Sequence, residues 1–205
     1  MSGIPIETAF YVLEAISLLA LLAVIFYFWK QTRKTRHQRQ LRKAVESLGV
    51  KYLHDLVLPD GVEGLVFIDY LLLVSGGLVV LDTQHVEGHI FAGESMDQWS
   101  QVTNNKTYRF PNPLYANQSA CQAVLWNLQH SIDTDFNPDW SITGWVVFSS
   151  AGDFPKGIPP QVSGIDKLKT NLTPLITPQA TADDQLEQAW DALHTLSINT
   201  KANNK

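Results

Sequence analysis

The sequence predicts an α/β domain, a mixed sheet flanked by helices, carried behind one membrane-crossing helix. Three observations predict this. A long apolar segment lies near the N-terminus. Beyond it the hydrophobic period switches between strand-like and helix-like runs. The order of those runs is helix, three or four strands, helix, strand, helix, which fits a single domain of about 150 residues.

The apolar segment is Thr8–Trp29, TAFYVLEAISLLALLAVIFYFW. At about 1.5 Å rise per residue its helix would reach roughly 33 Å, enough to cross a bilayer core. Apolar residues cover every face, unlike a one-sided core helix. Nothing before Thr8 is basic, and bulky Phe26, Tyr27, Phe28 and Trp29 close the segment, so it reads as a retained anchor and not a cleaved signal. Glu14 is its one ionisable residue. An acid in a span is a functional candidate, open to three readings: snorkelling to the surface, pairing with a partner helix, or staying protonated.

Charge gives the orientation. Lys30, Arg33, Lys34, Arg36, Arg39, Arg42 and Lys43 follow the span with no acid among them. Basic flanks stay cytoplasmic, so the N-terminus is expected outside and the rest inside, as in a single-pass protein of a bacterial inner membrane. The same run favours anionic lipid, so residues 8–43 are the expected lipid-contacting part. Residues 1–43 hold seven of the 15 basic and two of the 20 acidic residues, which leaves 8 basic and 18 acidic beyond them, a net of −10. A domain so acidic disfavours nucleic acid and leaves an unidentified protein as the expected partner. Cys121 is the sole cysteine, which excludes an intrachain disulfide and a multi-cysteine zinc site.

Each element has a local reason. Residues 30–49 continue as a basic juxtamembrane helix with an apolar stripe at Leu41, Ala44, Val45 and Leu48, ended by Gly49. KYLHDLVL (51–58) is a strand stopped by Pro59–Asp60–Gly61. GLVFIDYLLLV (64–74) and LVVLDT (78–83) are strands joined through Ser75–Gly76–Gly77 as an antiparallel hairpin. GHIFAG (88–93) is a short strand. Residues 94–112 are polar, with Trp99, Tyr108 and Phe110 as expected packing anchors. A helix opens at Asn112–Pro113 and runs to about His130, with Leu114, Gln118, Cys121, Val124, Leu125 and Leu128 at helical spacing. SITGWVVFS (141–149) is a strand, 150–163 a loop, 164–172 a helix, and 182–196 a last helix capped by Thr181. The domain is thus expected over 50–198, with 199–205 as a disordered tail.

Two acids stand out. Asp69 interrupts FIDYLLLV, and Asp82 lies near the end of LVVLDTQ. A carboxylate inside a strand core costs several kcal/mol unless paired or bound to metal. Either both sit solvated at strand ends, or they face each other across the hairpin and share a divalent cation. His85, Glu87 and His89 would share one face of a strand, which keeps a metal cluster with Asp82 geometrically open, but solvated turn residues are the favoured reading. No P-loop, dinucleotide fingerprint or serine nucleophile elbow occurs.

From His54 to Leu128 the chain resembles the nuclease-related domain (NERD) family. The matching pieces are LHDLVLP, FIDYLLLVSGGLVVLDTQ, GHIFAG, Trp99 and NPLYANQSACQAVLWNL, in that order. The family is similar to the PD-(D/E)xK nucleases, so the resemblance implies a restriction-endonuclease-like fold and metal-assisted phosphodiester hydrolysis. It implies Asp69 and Asp82 as catalytic ligands of Mg²⁺ and puts Gln84 where the family carries its catalytic lysine. An amide brings no positive charge, though it still orients water. Leu41 stands where the family has an acid, and Tyr115–Ala116 where a glutamine usually follows the helix start. These departures predict a nuclease fold kept as an interaction or scaffold module, with an active metal-dependent nuclease as the alternative.

Overall fold

A computed structural model describes residues 19–22, 37–132, 136, 138–148, 152–176 and 184–203, with side chains as far as Ser197. The chain divides into two compact units, 1–40 and 41–205. In the first, residues 19–22 and 37–40 are helical. The rest of the expected span, Glu14, and Lys30, Arg33, Lys34 and Arg36 lie outside the described residues, as does Thr181. Among the described residues no helix is long and apolar enough to cross a membrane.

The second unit is a mixed α/β fold with two mixed sheets flanked by helices. It opens on α1 (residues 41–46), which stops where Gly49 takes φ +72°. There follow β1 (Tyr52–Pro59), β2 (Leu65–Val74), β3 (Gly77–Gln84), β4 (Gly88–Phe91), β5 (Gln98–Thr103), β6 (Lys106–Pro111), α2 (Pro113–Ser131) and β7 (Ser141–Phe148). Short strands β8 (Gly152–Asp153) and β9 (Val162–Gly164), a 3₁₀ turn, α3 (Leu168–Ile176) and α4 (Asp184–Asn203) complete it. The main sheet has the order β1-β2-β3-β7-β9: β1, β2 and β3 are antiparallel, and β7 joins β3, then β9 joins β7, in parallel. The second sheet has the order β6-β5-β4-β8.

The core explains the layers. Leu78 and Val80 of β3 face α2 and α4, packing with Leu56, Leu71, Val124, Leu128, Ala189 and Leu193. Val79 and Leu81 face the other way, onto Leu41, Val45, Leu168 and Leu172. A central strand buried on both faces needs the continuous apolar run that β3 has. Leu41, Val45 and Leu48 of the sequence's helical stripe are thus part of this unit's packing. Burying each such side chain stabilises by about 1.5–3 kcal/mol.

Several expectations need correction. The sequence suggests one sheet, but there are two. Residues 94–112 were expected without strands, yet β5 and β6 form a hairpin there. Its two-residue turn is Asn104–Asn105, at φ +48° and +58°, which is what a twisted tight hairpin requires. Trp99 is fully buried and Phe110 packs edge-on to it at 6.2 Å, but Tyr108 is half exposed and anchors nothing. On α2 the buried face is Asn117, Ala120, Ala123, Val124, Asn127 and Leu128, whereas Gln118 is exposed. Val124 and Leu128 of the expected stripe are buried and Cys121 and Leu125 pack beside them, but the stripe omits Asn117 and Asn127, because periodicity counts asparagine as outward. Finally, α4 remains helical through residues 199–203, assigned above to a disordered tail; no Gly or Pro interrupts it.

Candidate functional site

The site forms where β2 and β3 leave regular pairing. Their ladder runs from Val74↔Gly77 to Tyr70↔Leu81 and stops. One step further along the same register Asp69 stands opposite Asp82. The β1–β2 ladder also has a gap. It runs to His54↔Tyr70 and resumes at Leu56↔Ile68, so Asp55 and Asp69 are skipped, and Asp55 takes φ +53°. Both strands change face here. Leu53 and Leu56, and likewise Ile68 and Leu71, pack into the same cluster at a spacing of three, not two. The paired irregularity releases Asp69 from the ladder, and its Oδ2 accepts the Thr83 N–H at 2.6 Å.

Asp82 lies on the α2 face of β3, two residues beyond Val80. Its Oδ2 accepts from Asn117 Nδ2 at 2.8 Å, and the same amide donates to the Val80 carbonyl at 3.1 Å. Burial pushes the Asp82 carboxyl up to about 6, the Asn117 hydrogen bond opposing this and the nearby Asp69 charge adding to it. The strand register and the bonds to Thr83 and Asn117 set both acids within the structure, side by side on the hairpin. Gln84 follows two residues on, so strand alternation sets it on the Asp82 face, half-buried.

Asn117 was not picked out from the sequence, although it is 2 % exposed and holds one of the two acids. The available signal was a polar residue four positions into the second turn after an Asn–Pro start, one step off the apparent stripe. Asn112 caps α2 by accepting the Leu114 N–H at 2.9 Å. Gly144 of β7 makes room for Asn117: a Cβ there would collide with Asn117 Oδ1 and press on Cys121 Sγ. Cys121, one turn along α2, has its thiol pushed up to about 12 by burial and by the Asp82 charge, which favours the neutral thiol.

The remaining candidates do not converge. Leu41 is buried among Leu72, Val79, Leu81 and Leu172, on the sheet face opposite Asp82, so its side chain has neither the chemistry nor the placement of a ligand. His85, Glu87 and His89 are exposed, and His89 Nδ1 lies 2.7 Å from Asp153 Oδ1. Among the described residues no three His, Cys, Asp or Glu side chains gather closely enough to hold a metal. A catalytic divalent ion therefore fits this donor set poorly. One oxygen of each carboxylate already accepts a protein N–H, and among the described residues no third acid joins them.

Comparison with known proteins identifies the family. The family model described as the nuclease-related domain matches residues 31–149. An uncharacterized protein of Bacillus anthracis is 21% identical over 104 residues, covering 51% of this chain and 49% of that relative. The match thus spans about half the relative's length. No solved structure matches the chain.

Proposed function

Because the chain belongs to the nuclease-related domain family, we propose that this member keeps the nuclease scaffold as an interaction module and has lost phosphodiester cleavage. One observation carries the reading. The Asp82 carboxylate is held by the Asn117 amide, while the neutral Gln84 occupies the position of the family's cation. Removing one preorganised charge-stabilising group costs about 3 kcal/mol of transition-state energy. Here both the lysine and the upstream acid are gone, and two such losses leave little rate. The net charge of −10 beyond residue 43 also repels a polyanionic substrate. In this reading Thr8–Trp29 crosses a bacterial inner membrane, the basic residues to Lys43 meet anionic lipid, and the domain faces the cytoplasm toward a protein partner.

The alternative is an active Mg²⁺-dependent nuclease using Asp69 and Asp82, favoured by their juxtaposition across the hairpin. Incubating the purified full chain with labelled single- and double-stranded DNA and RNA, in Mg²⁺ or Mn²⁺, separates the two. No cleavage is expected. Cleavage that vanishes in Asp69→Ala and Asp82→Ala would establish the alternative. Cleavage gained in Gln84→Lys would show that geometry was retained and only the chemistry lost.

A further inference from the structure

Beside Asp82, on the other side of Asn117, the structure holds a cavity of about 380 Å³ between α2, β7 and the approach to β9. Its walls combine three chemistries. Glu94 contributes a carboxylate and Tyr115 an aromatic ring at the open side, both exposed. Asn117, Gln118, Gln161 and Thr143 contribute amide and hydroxyl oxygens, and Leu114, Ile142 and Pro160 the apolar floor. None of the described residues lining it is basic.

These features are built, not incidental. Asn112 Nδ2 donates to the carbonyls of Glu94 at 3.0 Å and Met96 at 2.9 Å, so the loop carrying Glu94 is tied to the start of α2, two residues before Leu114. Gly144 keeps the wall open where any side chain would meet Asn117. Asn117 Nδ2 is spent on Val80 and Asp82, which leaves its oxygen, an acceptor, on the Gly144 side. A carboxylate, a ring face and several acceptors with no opposing base suit an organic cation and reject an anion.

We infer that this cavity binds a primary ammonium or guanidinium group, presented either by a small amine or by a lysine or arginine side chain of a partner protein. The inference rests on the reading of this region as a binding site and not a cleaving one.

The test is titration of the ¹⁵N-labelled full chain in zwitterionic detergent, following the backbone N–H signals of Cys121, Thr143 and Gly144. The probes are n-butylammonium and n-butylguanidinium, with butyrate as the anionic control. Saturable shifts with the cations and none with butyrate are expected. Glu94→Gln should weaken binding about threefold or more, as for a partly exposed ion pair, and Tyr115→Ala about two- to fivefold. Asp191→Asn, on α4 away from the cavity, should change nothing. Both test residues are exposed, so their variants keep the fold. Binding of acetyl-Gly-Lys-Gly-amide and acetyl-Gly-Arg-Gly-amide assigns the cation to a partner protein. Binding of the free amines alone assigns it to a small molecule. Absence of saturable shifts, equal response to butyrate, or undiminished binding in Glu94→Gln overturns the proposal. Nucleic-acid cleavage is scored separately, so a failed cation site and a failed non-nuclease reading are told apart.

Discussion

Asn117 on α2 and Asp82 on β3 are joined by a 2.8 Å hydrogen bond across 35 positions of sequence. The bond spans the interface of helix and sheet where the Asp82 carboxyl enters the packed layer. It explains how Asp82 is tolerated there, and it makes the pair the point at which the site is most easily disturbed.

Replacing Asn117 tests that pair directly. Asn117→Ala removes both donors at once and leaves the Val80 carbonyl and the Asp82 carboxylate without that partner. A loss of about 1–3 kcal/mol is expected, because a buried group left unmatched costs its full desolvation. The urea midpoint of the full chain, followed by tryptophan fluorescence, measures it. A change below about 0.5 kcal/mol would show that the bond contributes nothing net.

Asp82 should make stability depend on pH. Its folded value, about 6, lies above the ordinary 3.8, so between those values the folded state binds more protons than the unfolded chain. Stability from this group is therefore greatest below about pH 4 and falls as pH rises through 6. The full swing is on the order of 1–3 kcal/mol. Asp82→Asn keeps an acceptor for Asn117 and removes the charge. It should match the wild type near pH 4 and exceed it at pH 7. Unfolding midpoints across pH 4–7 decide, and a variant less stable than wild type at pH 7 would contradict the assignment.

Adjacent glycines at the β2–β3 turn should respond in opposite ways. Gly77 has φ +133°, and a Cβ there would run into the Ser141 backbone, where β3 and β7 begin to pair. At Gly76 an added Cβ meets nothing within 4 Å. Gly77→Ala should lower stability by about 1–3 kcal/mol or more through clash and strain. Gly76→Ala should be within about 0.5 kcal/mol of wild type. Thermal unfolding of the two variants side by side checks the pair, and equal losses would refute the predicted register of β3 on β7.

The membrane topology predicted from charge is tested in cells. Seven basic residues follow Trp29 and none precedes the span, so the C-terminus is expected inside. A C-terminal reporter active only outside the cytoplasm should stay silent, while a cytoplasmic fluorescent fusion should glow at the membrane. Activity of the first reporter would reverse the topology.

The sequence by itself determined four strands of the main sheet and the helix α2, because their signals are local, whereas β9 begins inside what it marks as a loop. LVVLDT (78–83) reads as a strand from its apolar run, and Asn112–Pro113 starts α2 through its own side chain and ring. It also determined that Asp69, Asp82 and Gln84 would share one hairpin, since Ser75–Gly77 fixes the distance of each from the turn. The pattern was less informative where burial and polarity disagree. Asn117 and Asn127 lie on the inner face of α2, and periodicity counts a polar residue as outward. Only the tertiary structure decided that Asn117 holds Asp82, that the β1–β2 ladder skips Asp55 and Asp69 together, and that β4, β5 and β6 leave the main sheet for a second one. Each of these depends on which distant segments meet, and a hydrogen bond across 35 residues leaves no imprint on the hydrophobic period of either segment that makes it.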